Sequence, residues 1–175
     1  MRLFIGFDAS QEAEHELLNA QKKIENAKIN LVKDFHLTLK FLGEVDDDKS
    51  GEIEERLRKI SFGSFKAELG GIGVFPSENH VKVIWIGLEP KDKIIGLQRK
   101  IEEALQGMFP KDMRFHPHIT LARVKTVEDK EAFKENLKNI RIERIRFKVD
   151  KFKLIKSALT PDGPVYEVLE EYNSN

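Results

Sequence analysis

The chain has 175 residues, of which 30 are basic and 30 acidic, so its formal net charge is zero. With 40% hydrophobic residues it can bury a core without disulfides or metal, and the lack of cysteine excludes thiolate metal sites, iron–sulfur clusters and a cysteine nucleophile. No apolar run approaches the roughly 18 residues of a membrane-spanning helix, no signal-peptide pattern opens the chain, and zero charge gives no global pull toward a polyanion; a cytoplasmic monomer with no membrane partner is expected.

Arg2–Asp8 alternates and is rich in β-formers, which predicts a strand. Ser10 reads as the N-cap of a helix running to about Asn26, with Glu12 and Glu14 in its first turn. Phe35–Leu42 is predicted as a second strand closed by Gly43, and Glu52–Ile60 as a helix with Ile53, Leu57 and Ile60 at core spacing. Phe65–Phe75 reads as a strand in which Gly70, Gly71 and Gly73 mark a bulge or bend. Val81–Gly87 is a strong strand, with Trp85 read as core. Lys93–Leu105 is a helix, His118–Val124 a strand, Glu128–Leu137 a helix, Ile142–Lys156 one long strand and Val165–Glu171 a last strand.

The order is βαβαβ followed by βαβαββ. His36 lies 30 residues after Gly6 in LFIGF, and His118 lies 31 residues after Gly87 in IWIGL. This correspondence predicts an internal repeat of about 1–80 and 81–175 inside a single domain, 1–175. The expected fold class is α+β: two duplicated lobes, each an antiparallel sheet with helices on its outer face, related by a pseudo-twofold around a central cleft.

The repeat carries one signature. Phe35-His36-Leu37-Thr38-Leu39 in the first half is matched by Pro117-His118-Ile119-Thr120-Leu121 in the second. The period of two in a strand puts each His and Thr on one face and the intervening aliphatic residues on the other. Burying the aliphatic face leaves imidazole and hydroxyl together on the open side. Two imidazoles, with ordinary pKa about 6.5, can hold opposite protonation states near neutrality. One can take a proton from water while the other gives one to a leaving oxygen, and threonine hydroxyls donate to anionic oxygens. That set suits in-line displacement at phosphorus with neither metal nor cofactor. No GxSxG nucleophile and no GxxxxGK[ST] loop is present, which argues against acyl transfer and standard nucleotide hydrolysis.

HLTLKFLGEV and HPHITLARV, preceded by MRLFIGFD, resemble the 2H phosphoesterase superfamily, and within it the RNA 2′,3′-cyclic phosphodiesterases, or 2′-5′ RNA ligase-like proteins. The resemblance also covers GVFPS and IWIGL, and so nearly the whole chain. It implies metal-independent opening of an RNA 3′ end bearing a 2′,3′-cyclic phosphate to a 2′-phosphate, with weak 2′-5′ joining in reverse. It implies His36 as proton donor, His118 as proton acceptor, and Thr38 and Thr120 as phosphate ligands. Arg123 matches the arginine ending the second motif, and Phe41 an aromatic that stacks on a base. Strict alternation puts both on the core face, so Arg123 requires the strand to end or bulge near Ala122, and core is the plainer reading of Phe41. Lys82 stands where the family has arginine. An RNA-end-binding or end-joining module, and a phosphodiesterase for a small cyclic nucleotide, stay open as alternatives.

A His116-x-His118 metal pair with His36 as third ligand is disfavoured, because only one half has the extra histidine. Arg141, Arg144, Arg146, Lys148, Lys151, Lys153 and Lys156 read as a solvated sheet face, with an RNA track as the sharper alternative. Lys40, by parity with His36, and Arg114 would widen that patch.

Overall fold

Ser10 accepts a hydrogen bond from the Ala13 amide at 3.1 Å and so fixes the start of α1. The computed structural model describes residues 1–175. Its elements are β1 (Arg2–Asp8), α1 (Gln11–Lys22), β2 (Ala27–Leu31), β3 (His36–Glu44), α2 (Asp47–Leu57), β4 (Phe65–Ser77), β5 (His80–Glu89), α3 (Lys91–Ala104), β6 (His118–Val127), α4 (Lys130–Asn139), β7 (Arg146–Val149), β8 (Lys151–Thr160) and β9 (Gly163–Asn173).

All strands join one antiparallel sheet in the order β7-β4-β5-β6-β3-β1-β8-β9, with β2 on β6. The two His-Thr strands meet at the middle through one recorded pair, Leu37 against Ile119. The strands then part, and β2 takes over the edge that β3 leaves, with Leu31 against Ala122. The halves of the sequence are not the halves of the sheet. β4 leaves the first half to pair with β5, and β8 leaves the second half to pair with β1. The helices cross as well, since α1 packs on β6 and α3 on β3. The α+β class and the two-lobed antiparallel sheet therefore stand, with strands and helices exchanged between lobes.

One face of the sheet is covered by helices and forms a continuous core of 33 buried residues, including Leu3, Ile5, Phe7, Leu37, Leu39, Ile84, Ile86, Ile119 and Leu121. Leu17 of α1 and Ile94, Leu97 and Ile101 of α3 bury their helical stripes against it.

Three sequence expectations change. Helix α1 ends at Lys22, not Asn26; Asn26 adopts a left-handed conformation (φ 65°) where the chain turns into β2. Helix α2 starts five residues earlier than expected. Asp46 caps the Lys49 amide at 2.8 Å, and Asp47 and Asp48 occupy the first turn, where negative charge is favourable. The long strand Ile142–Lys156 is two strands, β7 on β4 and β8 on β1, broken at Asp150. The buried set changes phase there, from Phe147 and Val149 to Phe152 and Leu154.

The exchanged helices bring polar groups to the seam. Gln21 of α1 donates to the carbonyls of Val32 and Leu121 at 2.8 and 2.9 Å. Glu102 of α3, at the matching place, takes Lys40 of β3 at 2.9 and 3.0 Å and also accepts from Gln98 and the Asp112 amide. Lys40 also donates to the Pro110 carbonyl at 2.9 Å. Lys40 is 4% exposed, so it braces the core and adds nothing to a basic patch, contrary to its parity with His36. Removing one partner of a buried pair leaves an uncompensated charge. Lys40→Met is expected to cost about 3–5 kcal/mol in urea unfolding, and Lys40→Met combined with Glu102→Leu to recover most of that loss.

Candidate active site

The open face of the sheet carries the two His-Thr pairs. His36 and Thr38 on β3 and His118 and Thr120 on β6 are all half-buried, while Leu37, Leu39, Ile119 and Leu121 are buried on the other face. Continuing the antiparallel register from Leu37–Ile119 points His36 toward Thr120 and Thr38 toward His118. The sheet thus sets each imidazole toward the hydroxyl of the other lobe.

Both strands then bulge at the same place. Opposite β1, Thr38 faces Gly6 and Lys40 faces Ile5, which leaves Leu39 as the extra residue. Opposite β5, Thr120 faces Trp85 and Ala122 faces Ile84, which leaves Leu121 extra. A bulge flips the alternation beyond it. Lys40 and Ala122 therefore turn inward, and Phe41 and Arg123 turn out onto the face of the histidines. The bulge needed near Ala122 is present, and its twin moves Phe41 out of the core to 71% exposure. Gly6 allows the close approach at the first bulge, because a Cβ there would sit 2.5 Å from the Leu37 carbonyl oxygen.

Each histidine has an aromatic setting. His36 stacks on Phe4 (4.8 Å between centroids) and meets the edge of Tyr166 from β9 at 5.3 Å; Phe41 stands 6.2 Å from Phe4. His118 meets Phe75 edge-on at 5.0 Å and lies near Trp85, which packs against His116 at 4.7 Å. Trp85 is thus a wall of the open face, not core. No group of three His, Asp or Glu side chains gathers in ligating positions, so the His116–His118–His36 set does not assemble.

Both imidazoles are held below their ordinary value, but by different neighbours. Burial foremost holds His36 below its ordinary value of 6.5, and nearby His118 also lowers it, while Asp8 and Asp34 pull the other way. Burial foremost lowers His118 too; the hydrogen bond to the His116 carbonyl pulls it up, while the charges of His116 and the Arg123 guanidinium push it down. His118 Nδ1 lies 2.6 Å from the His116 carbonyl oxygen, which can only accept, so Nδ1 carries the proton. Nε2 is left with a free lone pair in the neutral ring. Tyr166 is raised above its usual value, chiefly by burial, and stays a phenol.

The basic sheet face is mostly neutralised. Arg144 and Arg146 reach Glu68, Lys151 and Lys153 reach Glu171, and Lys156 reaches Glu167. The acidic residues of Glu167–Glu171 lie opposite these lysines, so the solvated reading holds for this face. Arg123 forms none of the recorded ion pairs and is exposed on the open face; Arg114 and Lys82 are exposed too. The sequence reading missed Asp8, Phe4, Phe75, Tyr166 and the bearing of Trp85, because their placement depends on cross-strand register.

Residues 10–160 match the family model described as the 2′-5′ RNA ligase superfamily. The chain is 35% identical over 176 residues to the RNA 2′,3′-cyclic phosphodiesterase of Methanocaldococcus jannaschii, with 98% of this chain and 100% of that relative covered. It is 35% identical over 178 residues to the RNA 2′,3′-cyclic phosphodiesterase of Thermotoga maritima, covering 98% and 94%. Among solved structures, TT0787 of Thermus thermophilus superposes with a TM-score of 0.84 at 28% identity, covering 99% of this chain and 97% of that one. The apo form of LigT from E. coli shares the fold, with a TM-score of 0.78 at 23% identity over 99% and 96% of the two chains.

A Cβ on Gly73 would overlap the Trp85 indole from the neighbouring strand. Trp85 is the sole tryptophan, so its emission reports this wall directly. Gly73→Ala is expected to shift that emission and to lower stability by about 1–3 kcal/mol through overpacking, read by fluorescence and thermal unfolding.

Proposed function

Because the chain belongs to the 2′-5′ RNA ligase superfamily, with two His-Thr strands joined at one seam, we propose that it hydrolyses RNA 2′,3′-cyclic phosphate ends to 2′-phosphates by two-histidine acid–base catalysis. The observation that carries this reading is the hydrogen bond from His118 Nδ1 to the His116 carbonyl. It fixes the tautomer in which Nε2 can accept a proton, and the Arg123 charge favours the neutral ring.

In this mechanism Nε2 of His118 removes a proton from water as the oxygen attacks phosphorus. The P–O3′ bond breaks opposite the incoming water, and His36 gives its proton to O3′. The products are a 3′-hydroxyl and a 2′-phosphate monoester. Thr38, Thr120 and Arg123 supply donors for the non-bridging oxygens, whose charge grows in the transition state. Since O3′ leaves toward His36, the terminal ribose and base lie on the lobe of β3 and β1. The exposed Phe41 ring and the Tyr166 edge offer apolar faces there for a base. Arg123 and this aromatic wall make a local site for one RNA terminus, which a neutral protein can recognise without binding along a polymer.

The test is incubation of RNA ending in a 2′,3′-cyclic phosphate with the protein in EDTA, followed by identification of the product. A 2′-phosphate is expected, and a 3′-phosphate or no turnover counts against the reading. His36→Ala and His118→Ala should each lower the rate roughly 10²-fold or more. The acid limb of the pH–rate profile belongs to His118, which must be neutral to act. Because the folded protein holds it below 6.5, that limb is expected to have its midpoint below 6.5.

A further inference from the structure

The two motifs alone leave the histidines interchangeable, and the sheet register is what separates them. Asp8 at the end of β1 stands directly opposite His36. The residue opposite His118 is Gly87. In the repeat that aligns Gly6 with Gly87, the counterpart of Asp8 is Glu89, but Glu89 pairs with Glu68 on β4 and has no partner on β6. The two lobes thus differ by two residues in register, and only one histidine has a carboxylate across the ladder.

That carboxylate is held. Lys153 of β8 reaches an Asp8 oxygen at 2.6 Å and Glu171 of β9 at 3.6 Å. Lys153 is 16% exposed at its side chain, so the ammonium is partly shielded from solvent and fixed between two acids. We propose that Asp8, clamped by Lys153, is the positioning residue that makes His36 and not His118 the proton donor. This rests on the hydrolytic reading above and deepens it. A carboxylate one strand away favours imidazolium over imidazole, and the lysine holds that carboxylate in place while partly offsetting its charge.

The other groups facing His36 are accounted for. Asp34, in the segment before β3, acts in the same direction as Asp8, and His118 on β6 opposes them. Glu14 of α1 couples to both Asp8 and Asp34. Phe4 of β1 and Tyr166 of β9 contribute uncharged rings. Around His118 no carboxylate acts: the neighbours that bear on it are His116 and Arg123.

Asp8→Asn and Lys153→Met test the proposal, because they push in opposite directions. Both are compared with the parent protein by cyclic-phosphate hydrolysis across pH, and by NMR titration of the His36 Cε1–H resonance, assigned through its loss in His36→Ala. Asp8→Asn is expected to move the alkaline limb of the rate profile and the His36 midpoint to lower pH, leaving the His118 midpoint in place. Lys153→Met should move both to higher pH, since the negative field of Asp8 is no longer offset. Unmoved His36 midpoints, or shifts of the same sign in both variants, overturn the proposal. Should the parent protein fail to hydrolyse the RNA, the hydrolytic reading fails while the NMR midpoints still decide what Asp8 does.

Discussion

A single cross-strand pair, Leu37 against Ile119, joins the lobes in the middle of the sheet. Both side chains are fully buried, so the seam is set by packing under the helices and not by the polar groups above it. The antiparallel register at that one point decides which histidine faces which threonine. Neighbouring elements hold it in place: β2 covers the edge of β6 beyond the seam, and α1 and α3 each cross to brace the opposite strand. The site is thus a consequence of how two amphipathic strands were brought together.

The paired bulges extend this logic. Beyond Leu39 and Leu121 the alternation reverses, so one strand presents Phe41 and the other Arg123 to the open face. The inward positions differ in chemistry. Ala122 fits the core directly, whereas Lys40 requires Glu102, Gln98 and the carbonyl of Pro110. A buried pair of this kind is weak evidence of added stability, but its geometry ties β3 to α3 and to the segment that leads into β6. Matching bulges thus carry different side chains in the two lobes.

Much of this was legible in the sequence. Matched His-x-Thr pairs in strand-like contexts located the open face, and the five-residue step to Arg123 already required a bulge. The helix start at Asp46–Asp48, a cap followed by first-turn acids, was also written in the sequence ahead of Glu52. The break at Asp150 was also present, as a change in the parity of buried residues that a single long strand cannot satisfy. Illegible were the exposed β2, whose short run has no alternating buried face, and every contact that depends on register: Asp8 with His36, Trp85 with His118, Tyr166 with Phe4. Local pattern fixes which face a side chain takes, but only pairing between distant strands decides what it meets.

The exchange of β4 and β8 between lobes bears on how the chain is made. β1 emerges first from the ribosome, yet the strand that flanks it opposite β3 arrives about 150 residues later, with Gly6 against Lys153. At 5–20 residues per second that wait is roughly 7–30 s. For most of it α1 lacks its own partner as well, because β6 is not made until residues 118–127. Neither lobe can close before the other is nearly complete, so the two reach their native form together. A nascent chain of this topology therefore keeps its aliphatic strands open until late in translation, and its vulnerability lies in timing more than in final stability.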